Sequence, residues 1–402
     1  MTKGAASVPR RPLRLGVIGL GRAFVLMLPT LRAHPLVRLV AAMDPRPEAR
    51  DHFVAEFGGR AHETVEALCA DPEVEAIYVA SPHGFHREQV IAALEAGRHV
   101  LVEKPMALDL ASCETMTAAA RKAGVHLVVG HSHSFDAPVL QARRAIEAGE
   151  HGRLRMITAM NFTDFLYRPR RPEELDTALG GGVVWSQAAH QVDIVRLLGG
   201  GLVKSVRATA AVWDPSRRSE SAYNALLTFA DGASATMTYS GAGHFDTDEL
   251  CGWIGELGQR RDAADYGGAR ARLAGRSEAD EIALKAARTY GAGAGGREIP
   301  PVAHNHFGFV VASCDHADLR PTAEGVLVYA DHERRFEALP APEVPRAEVI
   351  DELWAAVIEG VPPIHDGAWG MATLEVCGAI LQSAAEDREV VLHHQVVPGD
   401  RR

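Results

Sequence analysis

No stretch of this chain is apolar for long enough to span a bilayer, and no signal-peptide-like run follows the tail of residues 1–12 with its Lys3, Arg10 and Arg11. The five cysteines, Cys69, Cys113, Cys251, Cys314 and Cys377, are far apart, odd in number and without a CxxC pair. They read as reduced thiols, neither a disulfide frame nor a metal site. A basic excess is missing as well. The formal net charge of −10 argues against a nucleic-acid partner, and an anionic substrate would need a dedicated cluster of cations. There is no internal repeat and no low-complexity tract. What remains is the expectation of a cytoplasmic, soluble protein without membrane or metal, its 402 residues being too many for one ordinary core.

The chain opens with alternation. Near-continuous apolar runs at 13–18, 37–43, 59–62, 75–80, 99–102 and 125–130 read as strands, separated by helical patterns at 22–33, 47–57, 63–70, 85–96 and 110–123. Pro29 is expected to kink the first helix or mark an irregular turn. Such alternation describes a doubly wound parallel sheet covered on both faces, an α/β Rossmann-type domain over 13–134. Ligands of such sheets lie beyond the carboxyl ends of the strands, where strand order reverses. After about residue 149 the texture changes. Runs at 153–164, 203–213, 222–229 and 233–240 alternate apolar with polar residues, and Asp231-Gly232 signals a hairpin, so residues 135–402 read as a second, α+β domain. Residues 255–301 are rich in Gly, Arg and Ala, with one helix expected over 279–290 carrying a Glu281–Lys285 pair, and are expected to serve as a lid or an oligomer contact. Helices over 346–359 and 369–386 close the chain.

Four constellations carry chemistry. In Gly16-Val17-Ile18-Gly19-Leu20-Gly21-Arg22-Ala23-Phe24, Gly19 and Gly21 permit a tight turn and close approach to a pyrophosphate at the helix N-terminus; the third fingerprint glycine is replaced by Phe24. The second strand ends at Asp44, placed to accept hydrogen bonds from an adenosine ribose and to repel a 2′-phosphate, which favours NAD; Arg46 keeps NADP open. Ser81, His83 and His86 follow the fourth strand, and Glu103-Lys104-Pro105 follows the fifth. A lone lysine there is ordinarily a solvated charge. In Gly180-Gly181-Gly182-Val183-Val184-Trp185-Ser186-Gln187-Ala188-Ala189-His190-Gln191-Val192-Asp193, helical spacing puts Ser186, His190 and Asp193 on one face, although a lone helical histidine is more often packed than catalytic.

Taken in order, GxGxx, the acidic end of strand two, Ser-Pro-x-x-x-His, Glu-Lys-Pro, and triple glycine followed by His-x-x-Asp resemble the glucose–fructose oxidoreductase and inositol dehydrogenase (Gfo/Idh/MocA) family over most of the chain. The resemblance implies a second domain built on a large, open, mostly antiparallel sheet, and a homodimer or homotetramer formed through that sheet. It implies NAD (or NADP) held by Gly19, Gly21, Arg22, Ala23, Asp44, Ser81, His83, His86, Glu103 and Lys104. It also brings Lys104 and His190 together as catalytic residues at the nicotinamide, with Glu103 and Pro105 directing Lys104. Oxidising an alcohol requires loss of the hydroxyl proton as hydride leaves, and a lysine of lowered pKa or a histidine can take it. Two departures stand out. Ser186 replaces the aspartate common in polyol dehydrogenases, and His131-Ser132-His133-Ser134-Phe135 lacks an arginine many members carry. Together with Phe165-Leu166-Tyr167-Arg168-Pro169-Arg170-Arg171 and His304-Asn305-His306-Phe307, they resemble the branch acting on 4,5-dihydroxy-4,5-dihydrophthalate, a cis-dihydrodiol. Arg168, Arg170 and Arg171 then become candidate forks for a dicarboxylate, with His131, His133 and Ser186 as further substrate contacts. A solvated basic loop and buried structural histidines are the plain alternatives. A sugar or inositol dehydrogenase, or a non-catalytic nucleotide sensor, are the competing functions.

Overall fold

The computed structural model describes residues 10–130, 133–265, 267–292 and 301–399. The first domain runs β1 (Leu13–Ile18), α1 (Arg22–Ala33), β2 (Val37–Met43), α2 (Pro47–Phe57), β3 (Arg60–His62), α3 (Val65–Cys69), β4 (Ala76–Val79), α4 (His86–Glu95), β5 (His99–Glu103), α5 (Leu110–Ala123) and β6 (Leu127–Gly130). Its six strands are parallel in the order β3-β2-β1-β4-β5-β6, so strand order reverses between β1 and β4. Residues such as Val17, Ile18, Ile77, Val79 and Val100 are wholly buried, as strands covered on both faces require. Pro29 lies inside α1, which continues past it to Ala33.

The second domain follows with α6 (Ala137–Ala148), β7 (Leu154–Phe162), α7 (Ala189–Leu198), β8 (Val203–Ala211), β9 (Ala222–Phe229), β10 (Ser234–Ser240), α8 (Gly268–Leu273), α9 (Glu278–Ala286), β11 (Phe309–Cys314), β12 (Ala317–Thr322), β13 (Gly325–Ala330), β14 (Arg334–Ala338), α10 (Ala347–Trp354), α11 (Gly367–Glu386) and β15 (Val390–Val391). Nine strands form an open sheet, β14-β13-β12-β11-β7-β10-β9-β8-β15, antiparallel except for the parallel β7–β10 pair. The hairpin expected at Asp231-Gly232 joins β9 to β10. Strands β11–β14, by contrast, are absent from the sequence expectation. All four are short; β12 and β14 are interrupted by Asp318, Arg320, Pro321, Arg334, Arg335 and Glu337, which hides their period, whereas β11 and β13 are short apolar runs without a charge. Helices α6, α7 and α11 pack on one face of the sheet. Among the described residues the other face is covered only in part, by residues 247–254, and carries exposed Met156, Leu226, Tyr329 and Phe336.

The chain does not stay in the second domain. Val349, Ile350 and Leu353 of α10 enter the core of the first domain beside Phe24, Leu28 and Leu36. Each such fully buried side chain contributes roughly 1.5–3 kcal/mol. Helix α11 then bridges the domains, touching α5 and β6 at one side and β8 and α7 at the other. Its Trp369 Nε1 donates to Asp193 Oδ1 at 2.5 Å, and Thr373 Oγ1 donates to the same oxygen at 3.0 Å. Ser134 Oγ closes on the other oxygen of Asp193 and meets His365 Nε2 at 2.8 Å. Asp193 is fully buried in this network, which corrects the expectation that it shares a face with Ser186 and His190. Residues Val184–Ala188 form a π-helical turn that carries Ser186, while His190 and Asp193 both lie within the regular α7, where the Trp369, Thr373 and Ser134 hydrogen bonds hold Asp193.

Candidate active site

A cavity of about 660 Å³ opens at the switch point and is walled by both domains. That volume suits a small-molecule or cofactor site. Among the described residues, no group of side chains could hold a metal ion.

The first wall is made of strand ends. Gly19 has φ +90°, and a Cβ there would lie 2.9 Å from the backbone of Ser81, so only glycine lets the turn after β1 pass under the turn after β4. Arg22 and Ala23 open α1 at the cavity. Phe24, in place of the third glycine, is buried with its ring edge-on to Tyr290 at 5.1 Å. Asp44 lies beneath the turn. Its Oδ2 accepts from Leu20 N at 2.7 Å and its Oδ1 from Arg46 N and Nε at 2.9 Å, so the carboxylate is already well supplied with donors. After β4, Ser81 Oγ donates to Gln89, His86 sits between the carbonyls of Ser81 and Pro105 at 3.0 Å each, and His83 Nε2 lies 3.1 Å from Leu179 O of the second domain. Burial drops the His86 pKa to about 4, which keeps that imidazole neutral.

After β5, Glu103 accepts from Tyr78 OH at 2.5 Å rather than from its neighbour. Lys104 Nζ instead donates across the domain boundary to Ser186 O at 2.7 Å. The orienting partner of Lys104 is therefore a backbone carbonyl held by the π-turn, a feature that a residue pattern cannot reveal. Burial pulls the Lys104 pKa below the usual lysine value, against the opposing pull of Glu103 and Glu256.

The opposite wall comes from the second domain. The triple glycine packs tightly, since a side chain on Gly182, at φ +85°, would run into the Glu220 carboxylate that accepts from Val184 N. His190 and Ser186 both face the cavity. All three loop arginines line it too, with Arg168 and Arg171 still partly open to solvent. Arg168 Nε donates to Asp164 at 3.0 Å, Arg171 Nε lies 3.1 Å from Glu173, and the Arg170 guanidinium stacks on the Phe165 ring at 3.6 Å. Burial lowers the Arg170 pKa to about 10. The expected Glu281–Lys285 pair does not form: Glu281 takes Arg217 at 2.8 Å and Lys285 takes Glu174 at 2.7 Å, because tertiary partners outbid an exposed helical pair.

His133 is 1% exposed and stands behind the cavity wall, between Asp136 (3.0 Å) and Glu256 (3.3 Å). Burial opposes its imidazolium, but the two carboxylates prevail and raise its pKa. His131 lies outside the described residues. Glu256 is the site residue that sequence reasoning missed. It is a single carboxylate in a Gly/Arg-rich stretch with no motif, yet it lines the cavity and also approaches Arg168 at 3.8 Å. Although burial resists it, His133 and Arg168 hold its carboxyl far below the usual range.

The first residues of α1, Arg22 and Ala23, which follow the glycine turn, and the desolvated amine of Lys104 in the same cavity suit a phosphate-bearing cofactor and an alcohol beside it. The class so defined is a two-domain oxidoreductase with an NAD-binding Rossmann fold. The comparisons with known proteins say the same. Residues 13–131 match the model of the oxidoreductase family with an NAD-binding Rossmann fold, and residues 139–259 match the Gfo/Idh/MocA C-terminal domain. The chain is 47% identical over 374 residues to the 1-carboxy-3-chloro-3,4-dihydroxycyclohexa-1,5-diene dehydrogenase of Comamonas testosteroni, covering 92% of this chain and 94% of that one. It therefore belongs to the Gfo/Idh/MocA family of oxidoreductases. A crystal structure from Bordetella bronchiseptica RB50, assigned as a dehydrogenase, superposes with a TM-score of 0.88 at 41% identity, covering 95% of this chain and all of that one. The myo-inositol 2-dehydrogenase of Thermotoga maritima is 31% identical over a shorter stretch, 50% of this chain and 59% of that one.

Proposed function

We propose that this dehydrogenase oxidises a carboxylated cyclic cis-dihydrodiol to the corresponding catechol. The carrying observation is that one cavity holds the desolvated Lys104 and, on the facing wall, a bank of arginines. NAD, when bound, supplies the hydride acceptor. The protein's part is the proton. Burial makes Lys104 give up its proton more readily than an ordinary lysine; its amine form takes the hydroxyl proton as the C–H bond is lost, and Ser186 O accepts a hydrogen bond from the ammonium. His190, across the cavity, is the second polar group within reach of the reacting hydroxyl. The first product is a hydroxy-ketone, whose tautomerisation to an aromatic ring supplies driving force that a polyol lacks. A single carboxylate, as in the substrate named for the Comamonas relative, needs one guanidinium fork; Arg168, with 37% side-chain exposure, is the most available for it after Arg171 at 40%. A phthalate-type dicarboxylate would occupy both.

The commitment of Arg46 supports NAD over NADP. Its guanidinium is spent on Asp44, Leu20 O, Thr289 and Tyr290 O, and a 2′-phosphate would meet the Asp44 charge. Ribose hydroxyls reaching Asp44 would have to replace donors of Arg46. Residues Gly19 and Gly21 with Arg22 and Ala23 would hold the pyrophosphate, and Ser81, His83, His86 and Glu103 would line the nicotinamide side. A second copy covering the exposed part of the sheet face is the oligomer this reading implies, and light scattering on the purified chain tests it. For the reaction itself, NADH formation is followed with a carboxylated cis-dihydrodiol, the same diol without carboxylate, and myo-inositol. The reading expects turnover in that order, and preferential turnover of myo-inositol would overturn it.

A further inference from the structure

The segment after α9 returns to the first domain. Tyr290 N donates to Leu20 O at 3.2 Å, inside the glycine turn itself. Its hydroxyl donates to Glu56 at 2.6 Å, its ring packs on Phe24 and His52, and Arg46 reaches Thr289 Oγ1 at 2.8 Å. Tyr290 is 4% exposed, so this docking is built into the first domain's core. Two residues earlier stands Arg288, which lines the cavity with Arg22 and Arg346.

Arg22 and Arg288 differ from Arg346, whose charge is met by Glu103, Asp136 and Glu256. Among the described residues, no carboxylate lies within ion-pair range of Arg22 or Arg288. After burial, the charges acting on Arg22 are those of Arg288 and Arg346, and those acting on Arg288 are those of Arg168 and Arg272, all of the same sign. A cluster of mutually repelling guanidinium groups beside a helix N-terminus is costly in the free protein and favourable once an anion sits among them.

The geometry points to Arg288 as a residue of the cofactor's phosphate site, presented from the second domain by the Thr289–Tyr290 clamp and acting opposite the glycine turn with Arg22 and Arg346. The dinucleotide is then gripped by both domains at its phosphates as well as at its nicotinamide end. This inference rests on the cofactor and not on the identity of the substrate. The anion could also be a substrate carboxylate, since Arg288 and the pair Arg168 and Arg170 feel one another's charge; what favours the phosphates is the tie of Tyr290, two residues on, to Leu20 between the two turn glycines.

The test is equilibrium binding of NADH, followed by its fluorescence, to the full chain and to Arg288→Ala and Arg288→Lys, with ADP-ribose and adenosine as competitors. For Arg288→Ala we expect the Kd for NADH and for ADP-ribose to rise about tenfold or more, adenosine competition to stay unchanged, and the salt dependence of binding to flatten. Arg288→Lys should recover part of the loss. Because Arg288 is exposed, folding should not obscure the result. Equal Kd values for NADH in wild type and Arg288→Ala would overturn the assignment, and a raised KM for the carboxylated diol alongside them would reassign Arg288 to the substrate. Failure of the wild type to bind NADH would instead strike at the cofactor reading.

Discussion

The two ends of the cavity differ in how their charges are settled. At the substrate end nearly every ion has a counter-ion: Arg168 with Asp164, Glu256 with His133, Lys285 with Glu174. Around Arg22 and Arg288 the neighbouring charges are all of their own sign. The first end is organised before any ligand arrives, which is what positioning a proton acceptor demands. The second is left in deficit, which makes anion binding more favourable at the expense of the empty protein. One cavity thus serves two purposes through opposite electrostatics.

The largest effect that would sharpen this contrast is at Lys104. Lys104→Met should lower turnover by about 10²–10⁴-fold while NADH binding stays nearly unchanged, as measured by initial rates and fluorescence titration. Intact turnover would remove the substrate end from the chemistry. Next comes Arg168→Met, expected to raise KM for a carboxylated diol by roughly 10–100-fold and to leave a diol without carboxylate unaffected. Equal effects on both diols would mean that Arg168 only holds Glu256 and Asp164 in place.

The smallest effect is read in pH. Glu256 raises the pKa of Lys104, so Glu256→Gln should move the acid limb of kcat/KM to lower pH. It also raises the pKa of His133 above the ordinary 6.5. A raised histidine contributes stability that is complete below its unfolded pKa and lost as pH rises through the folded value. Without the Glu256 charge that contribution shrinks and its loss, which starts at the same unfolded pKa, is complete at lower pH, so thermal unfolding between about pH 6 and 9 should show a smaller alkaline decline that ends earlier in the variant. Superimposable profiles would show that Glu256 and His133 do not share charge.

Much of the fold was legible because period and burial coincide in it. The parallel sheet came from apolar runs broken by helical patterns, and the β9–β10 hairpin from two turn residues. Strands β12 and β14 escaped because charges and a proline interrupt short alternations, β11 and β13 because they are apolar runs of only six residues, and α10 was read as a helix with no sign that it would join the first domain's core. In the site, residues that sit at strand ends were found: Ser81, His83, His86, Glu103 and Lys104 all border the cavity. The loop arginines Arg168, Arg170 and Arg171 border it too, whereas Glu256 and Arg288 were missed, since they carry no motif and meet the site only through folding.

By itself the sequence determined the chemistry available at each strand end, because a glycine turn, a lysine after β5 and a histidine near the start of α7 are fixed by local spacing. Only the tertiary structure decided what those groups face. Lys104 bonds to a carbonyl 82 positions away, Asp193 turns from the cavity into a closed network, and Arg288 stands beside Arg22. Hydrogen bonds and charge repulsion act through distance in space, and distance along the chain does not encode them.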